Sequence, residues 1–464
     1  MGTGQSIWEH SWLSSDRPLA RLVARPLRIF LATEAAGGLV LLAATLIALA
    51  WANSPLRNSY ESLWRIELGL SLGPLELSED LRHWINDALM VVFFFVVGLE
   101  IKRELVAGEL NRWRRAALPV VAALGGMVVP AALYIALNAN GEGASGWGIP
   151  MATDIAFAVG VLALLGDRIP SGLKIFLLSL AIVDDIGAIV VIALFYSGGI
   201  ELAWLTAAGS GLLAIVALRR LRVLWVPVYV VVGTIVWFAT LRSGVHATIA
   251  GVALGLLTPA RATDERGFDD VIEEATALSV EPDAESLRAV TKQGQETVSV
   301  AERLEHLLHP WTSFVVIPLF ALANAGLVLS MDAVRAGLTS SVTLGVALGL
   351  VAGKVVGIAG MSWLAIRLNL AETPVEVEWR HLVGAAAVAG IGFTVSLFIT
   401  GLAFDDAALV DSARLGVLSG SIVAGILGAF ILSFRTPGRG QTPDERGSVH
   451  EGPAGSRGPQ MDPK

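Results

Sequence analysis

Apolar runs of about 20 residues recur along this 464-residue chain, with the charges gathered between them. A helix of that length crosses the hydrocarbon of a bilayer, so the membrane is the solvent the chain is patterned for. Composition agrees. Only 16% of residues are charged and 54% are hydrophobic, with a mean hydropathy of +0.66, whereas soluble domains are about a quarter charged. Length alone would allow roughly two or three soluble domains, but the steady alternation of span and connection reads as one polytopic domain.

Charge, Pro and Gly bound the runs at about 29–52, 84–100, 116–137, 152–165, 173–196, 202–218, 223–241, 246–258, 310–330, 341–366, 381–402 and 412–434. The expected fold class is therefore an all-α polytopic membrane protein of about 12 transmembrane helices. Residues 1–28 form an N-terminal segment, 29–435 the membrane domain and 436–464 a tail whose Pro, Gly, Arg and Asp content cannot bury enough surface to fold. An acidic insertion interrupts the membrane domain at 260–305. The first run follows Arg17, Arg21, Arg25 and Arg28, is long, contains Glu34 and lacks a small-residue cleavage site, so it reads as helix one rather than a signal peptide. If the N-terminus is cytoplasmic, then Lys102, Arg103, Arg112, Arg114, Arg115, Arg168, Lys174, Arg219, Arg220, Arg222, Arg367, Arg380, Arg435 and Arg439 fall inside. The outer side receives fewer, which predicts both termini in the cytoplasm. The outer segment 65–78 alternates Ile66, Leu68, Leu70 and Leu72 and resumes after Gly73-Pro74 with Leu75 and Leu77. Two readings fit it: a short β-hairpin, or an amphipathic loop lying on the membrane.

The absence of cysteine excludes disulfides, thiolate metal sites and cysteine nucleophiles. The 7 histidines are scattered rather than spaced as ligands, and the net charge of −8 comes largely from 264–305. No basic patch points to nucleic acid.

Ionisable residues inside apolar spans are costly and face a cavity or a partner. Here they are Asp87, Asp154, the adjacent Asp184 and Asp185, and Lys354, with Glu34, Glu100 and His246 less central. Asp184 and Asp185 have more than two apolar turns on either side, too far from either end for both to reach water. Neighbouring residues point about 100° apart on a helix, so the two do not form a facing acid dyad but can border one cavity. Asp154 lies in Pro150-Met151-Ala152-Thr153-Asp154-Ile155-Ala156, a span too interrupted to cross as one helix. Gly390-Ile391-Gly392-Phe393-Thr394-Val395-Ser396 is a comparable weak point, although Gly392 alone also fits close helix packing. Two interrupted spans at corresponding places point to inverted-topology repeats, with two broken helices around a midplane site. Lys354, the one lysine in the middle of an apolar span, should pair with a carboxylate or with the negative ends of broken helices, either as a structural counter-ion or as a proton carrier.

Nearly the whole chain between its ends, apart from the acidic insertion, resembles the NhaA family of sodium/proton antiporters, itself a known example of that architecture. The resemblance is carried by Asn86 to Met90, Gly98 to Leu105, Pro150 to Ala158, Leu180 to Ile189, Ser243 to Thr248, Leu304-Glu305-His306 with His309-Pro310, Gly353-Lys354 and Gly390 to Ile399. It implies that Asp184 and Asp185 bind transported Na+ and exchange protons, with Asp154 and Thr153 in the crossing of the two broken helices and Lys354 balancing charge. Glu104, Glu305, His306, His246 and Asp87 match positions tied to pH-dependent activation or the cytoplasmic funnel. The insertion beside Glu305 departs from the family pattern, which weakens transfer of the pH response. The resemblance further implies a homodimer through the outer hairpin, a bacterial cytoplasmic membrane, no cofactor, and Na+, Li+ and H+ as substrates.

A small hard cation prefers oxygen ligands and competes with protons for the same carboxylates. An antiporter therefore needs one shared site that opens alternately to either side, and no enzymatic step. An intramembrane aspartyl protease also uses two aspartates, but on separate facing helices, and no Gly-x-Gly-Asp element occurs here. A channel would favour ring-forming or repeated motifs, whereas each charged motif is present once.

Overall fold

With no water to satisfy backbone groups, a lipid-embedded span folds as helix. A computed structural model of the chain describes residues 35–72, 75–221, 223, 225–261, 298–374 and 376–434, and these are mainly helical. The N-terminal segment 1–28 with Glu34, the Gly73-Pro74 turn, most of the 260–305 insertion and the 436–464 tail lie outside the described residues.

Helix α1 (Ala36–Ala52) turns through 116° into α2 (Arg57–Trp64). Strands β1 (Glu67–Leu72) and β2 (Leu75–Asp80) then pair antiparallel, from Glu67 opposite Asp80 to Leu72 opposite Leu75. Of the two readings of this segment, the hairpin is the one that forms. Asp80 closes it and caps the next helix, its Oδ1 accepting from the His83 backbone N–H at 2.8 Å. Partial burial raises the Asp80 carboxyl, but the hydrogen bonds and charge of His83 outweigh it and leave the group below its ordinary range.

Next come α3 (Leu81–Val106), α4 (Trp113–Asn138), a 3₁₀ segment at Glu142–Met151, α5 (Ile155–Leu165), α6 (Ser171–Phe195) and α7 (Leu202–Arg220). They are followed by α8 (Val226–Arg242), α9 (Thr248–Leu257), α10 (Val300–Asn324), α11 (Met331–Thr339), α12 (Ser341–Arg367), α13 (Trp379–Val388), α14 (Phe393–Ala403) and α15 (Ala407–Ser433). Among the described residues, 7 helices are long and apolar enough to cross a bilayer, or 10 if each bent pair is one span; α8 and α9 are apolar but shorter. The chain is thus a multi-pass helical membrane protein.

The surface is apolar as lipid requires, while the interior holds charge beside its apolar core. Large apolar side chains such as Leu46, Ile47, Leu213, Val230 and Ile426 point outward, while Asp184 and Lys354 are enclosed. Lipid supplies no hydrophobic force between helices, so close packing must hold them, and small residues permit it. On the seam of α4 and α12, a Cβ at Gly357 would run into the Gly125 carbonyl, and one at Gly353 would come within 2.8 Å of Pro130 Cα. Among the described residues, three spans carry a π-turn, at Ile85–Leu89, Thr312–Val316 and Gly349–Gly353. The last ends immediately before Lys354, where the extra residue resets which way the following side chains point.

Candidate functional site: a buried charge cluster at two helix breaks

Both interrupted spans are broken as the sequence indicated. The 3₁₀ segment and α5 meet at 42° around Ala152-Thr153-Asp154, and α13 and α14 meet at 46° around Ala389 to Gly392. The two breaks pass against each other. A Cβ at Gly392 would sit 2.9 Å from the Ala152 carbonyl, so close approach as well as interruption explains this glycine.

Each break satisfies the backbone groups the other leaves open. The Asp154 N–H donates to the Ile391 carbonyl at 2.6 Å. Asp154 Oδ1 accepts from the Phe157 N–H at 3.1 Å, capping α5. Its Oδ2 accepts from the N–H and hydroxyl of Thr394 at 2.9 and 2.6 Å, capping α14 as well. One carboxylate therefore serves the positive ends of two half-helices. Ser396 Oγ donates to the Ile149 carbonyl at 2.7 Å, fastening α14 to the 3₁₀ segment.

Next to this crossing, Lys354 Nζ lies 2.5 Å from Asp184 Oδ2 and 3.0 Å from Thr153 Oγ1. Thr153 Oγ1 is 2.6 Å from the same Asp184 oxygen and 2.8 Å from the Ala389 carbonyl. The hydroxyl has one proton for these two acceptors, so it can serve only one of them at a time. Exposure is 0% for Lys354, 1% for Asp184 and Thr153, 2% for Asp154 and 5% for Asp185. These are interior charges, and Asp184 Oδ1 is buried with no hydrogen-bond partner. Asp185, one residue along α6, is in the electrostatic field of Asp184, Glu100, Asp154 and Lys354.

The remaining sequence candidates fall into separate places. Glu305 on α10 faces Arg103 on α3, with Oε2 and Nε 3.2 Å apart but not aligned as a hydrogen bond. Glu104 Oε2 accepts from the Glu109 N–H at 3.0 Å and lines a cleft with Arg112, Arg115 and Ser179. Ser179 lies on α6 between that cleft and Asp184, and Glu100 stands in the field of Glu305 and Arg103. His306 is exposed beside Glu305. His246, in the α8–α9 link, packs edge-on against Phe398 of α14 at 5.4 Å. Asp87 sits in the first π-turn, at the hairpin end of α3 and roughly 25 Å from Glu104 along that helix. Residues the sequence did not single out individually are Thr394 and Ser396. Hydroxyls bond back to their own helix in many spans, so nothing in the string marks these two as reaching across.

Two broken spans crossing at a buried cluster of carboxylates and one lysine, inside a multi-pass helical protein, define a carrier of the broken-helix class. The profile described as Na+/H+ antiporter 1 matches residues 28–432. The chain is 48% identical over 410 residues to the Na(+)/H(+) antiporter NhaA 3 of Frankia alni, covering 88% of this chain and 89% of that protein. It is 46% identical over 438 residues to the Na(+)/H(+) antiporter NhaA of an Anaeromyxobacter species, covering 92% and 95%. A third relative, the Na(+)/H(+) antiporter NhaA of Mesorhizobium japonicum, is 48% identical over 420 residues, covering 90% and 96%. The chain belongs to the Na+/H+ antiporter 1 family.

Proposed function

We propose that this protein extrudes Na+, and Li+ with it, from a bacterial cytoplasm in exchange for external H+. The observation that carries the reading is the sharing of Asp184 Oδ2 between Lys354 Nζ at 2.5 Å and Thr153 Oγ1 at 2.6 Å, with Asp185 adjacent. Sodium is a hard cation that needs oxygen ligands. Asp184, Asp185 and Thr153 offer them only if the ion takes the place of the Lys354 ammonium. A buried ammonium that loses its counter-charge is strongly destabilised, so displacement by sodium favours release of the Lys354 proton. That argument makes Lys354 a proton carrier rather than a fixed counter-ion. Among the described residues Asp185 has no cation of its own while Lys354 pairs with Asp184, and in this reading it is the group that exchanges the second proton for sodium. Two protons leaving for one sodium would move net charge, and the membrane potential would contribute about 2.3 kcal/mol per charge per 100 mV.

In this reading the membrane domain spans 29–435 with 12 crossings, inverted repeats and both termini cytoplasmic, in the cytoplasmic membrane. The cleft beside Glu104 is the cytoplasmic entrance, with Glu305, His306 and His246 acting in pH-dependent activation. Asp87 stands at the other end of α3 and would act from the outer side. The hairpin joins two copies into a homodimer, and no cofactor takes part.

The test is proton flux in everted membrane vesicles on adding Na+, Li+ or K+ over a pH series. Dissipation of the proton gradient by Na+ and Li+ but not K+ is the expected result. No response to Na+ at any pH would overturn the reading.

A further inference from the structure

The 3₁₀ segment Glu142–Met151 carries the chain into Thr153 and Asp154, yet little within it fixes its position. Runs of 3₁₀ helix this long have poor internal geometry. Gly143, Gly146 and Gly148 leave its surface bare where neighbours press against it. What holds it comes from other elements. Tyr134 on α4, fully buried, donates its hydroxyl to the Gly143 carbonyl at 2.7 Å. Tyr196, the residue that ends α6, donates its hydroxyl to the Ser145 carbonyl at 2.7 Å and accepts from the Gly148 N–H at 3.1 Å. Its ring stacks on Trp147 at 6.3 Å. Ser145 Oγ in turn donates to the Ala403 carbonyl at the end of α14, at 2.8 Å.

Tyr196 thus ties the segment to the helix that bears Asp184. Among the described residues, α6 hydrogen-bonds the broken span at two places: in mid-membrane through Asp184 and Thr153 at 2.6 Å, and at its end through Tyr196. The two attachments are 12 residues apart, roughly 18 Å along a helix. With both in place the 3₁₀ segment cannot slide or turn along α6. With only the inner one, the hydrogen bonding of the segment to α6 would rest on the Thr153 hydroxyl, which also has the Ala389 carbonyl as an acceptor.

We propose that Tyr196, supported by Tyr134, is a positioning residue for cation binding: its hydroxyl fixes the 3₁₀ segment on α6 and so sets the distance from Thr153 to Asp184. The inference rests on the antiport reading above and adds a determinant of cation affinity outside the charge cluster. Neither tyrosine touches the ion. Loss of the Tyr196 hydroxyl should therefore act on sodium affinity and leave the exchange step largely intact.

The experiment compares wild type, Tyr196→Phe, Tyr134→Phe and Tyr229→Phe in everted vesicles, at matched protein level, by sodium titration and thermal melting. Tyr229 is the control, since its hydroxyl bonds the Val223 carbonyl at 2.8 Å, away from the breaks. The expected result is an apparent KM for sodium raised about five-fold or more in Tyr196→Phe, which removes two neutral hydrogen bonds, with the maximal rate within about two-fold. Tyr134→Phe should move in the same direction and Tyr229→Phe should not. Exchange by the wild type with an unchanged KM in Tyr196→Phe, whether or not melting falls, overturns this inference alone. Absence of exchange by the wild type overturns the antiport reading and this inference with it.

Discussion

Replacing Asp154 by Asn keeps the shape of the side chain and removes its charge, at the point where both breaks depend on it. The carboxylate accepts three hydrogen bonds, from Phe157 N–H, Thr394 N–H and Thr394 Oγ1. An Asn can turn its carbonyl oxygen to Thr394 and keep two of these, but its NH₂ then faces the Phe157 N–H, donor against donor. Bonds to a charged acceptor contribute about 1.5–3 kcal/mol and neutral ones about 0.5–1.5. One bond is lost and two weaken, which sums to about 3 kcal/mol after allowing for relaxation. If that energy holds the breaks in the arrangement that sets Thr153 against Asp184, the competent population can fall by up to about 150-fold. Asp154→Asn should therefore raise the sodium KM in everted vesicles by about 10- to 150-fold. The purified protein should also melt at a lower temperature. Wild-type KM together with wild-type melting would refute the claim that this carboxylate braces the crossing.

Asp184→Asn and Asp185→Asn should each remove most sodium-driven proton flux while leaving membrane insertion intact, as measured by vesicle fluorescence against protein level. Normal exchange in Asp185→Asn would reject the shared site. The proposed competition of protons and sodium for the same carboxylates means that acidification below their titration should raise the sodium KM about tenfold per pH unit for each competing proton; a flat KM from pH 6 to 8.5 would contradict it. Gly357→Ala should lower thermal stability by about 1–3 kcal/mol, because its methyl meets the Gly125 carbonyl; unchanged melting would show that the α4–α12 seam can yield. The Asp80 carboxyl is held below its ordinary range, so its cap is at full strength above pH of about 4 and is lost as pH falls through the lower folded value. Asp80→Ala should accordingly cost about 1 kcal/mol at pH 7, read by melting, and progressively less in acid.

The interior charges were legible because a carboxylate or ammonium in an apolar run is expensive, and hydropathy registers that expense directly. Asp184, Asp154 and Lys354 stand out for this reason, and the structure brings them to one place. The breaks were legible from Pro150 and the Gly390–Gly392 pair, whereas alternation around Gly73-Pro74 fitted a hairpin and a loop on the membrane surface equally well. Uncharged partners were not. Thr394, Ser396, Tyr134 and Tyr196 carry hydroxyls of a kind found throughout membrane helices, and only the fold shows which of them reach another element. The π-turn before Lys354 has no pattern of its own in the sequence, since Gly349 to Gly353 reads as ordinary helix. The separation of Asp87 from Glu104 follows from the single helix α3 that carries both, but a shared association with regulation placed them together.

An ion site must release its ligand without unravelling the backbone around it, and broken helices make that difficult. Free N–H and C=O groups at mid-membrane are tolerated only when something satisfies them. Here the breaks satisfy each other. Asp154 N–H bonds the Ile391 carbonyl, the Asp154 carboxylate caps both α5 and α14, and Ser396 holds the Ile149 carbonyl. None of these bonds involves Asp184, Asp185 or Lys354. The contacts left for exchange are those of the Lys354 ammonium and the Thr153 hydroxyl with Asp184 Oδ2, and Thr153 has the Ala389 carbonyl as its alternative acceptor. In the proposed exchange a cation would replace the ammonium while Thr153 changes partner and the crossing stays bonded.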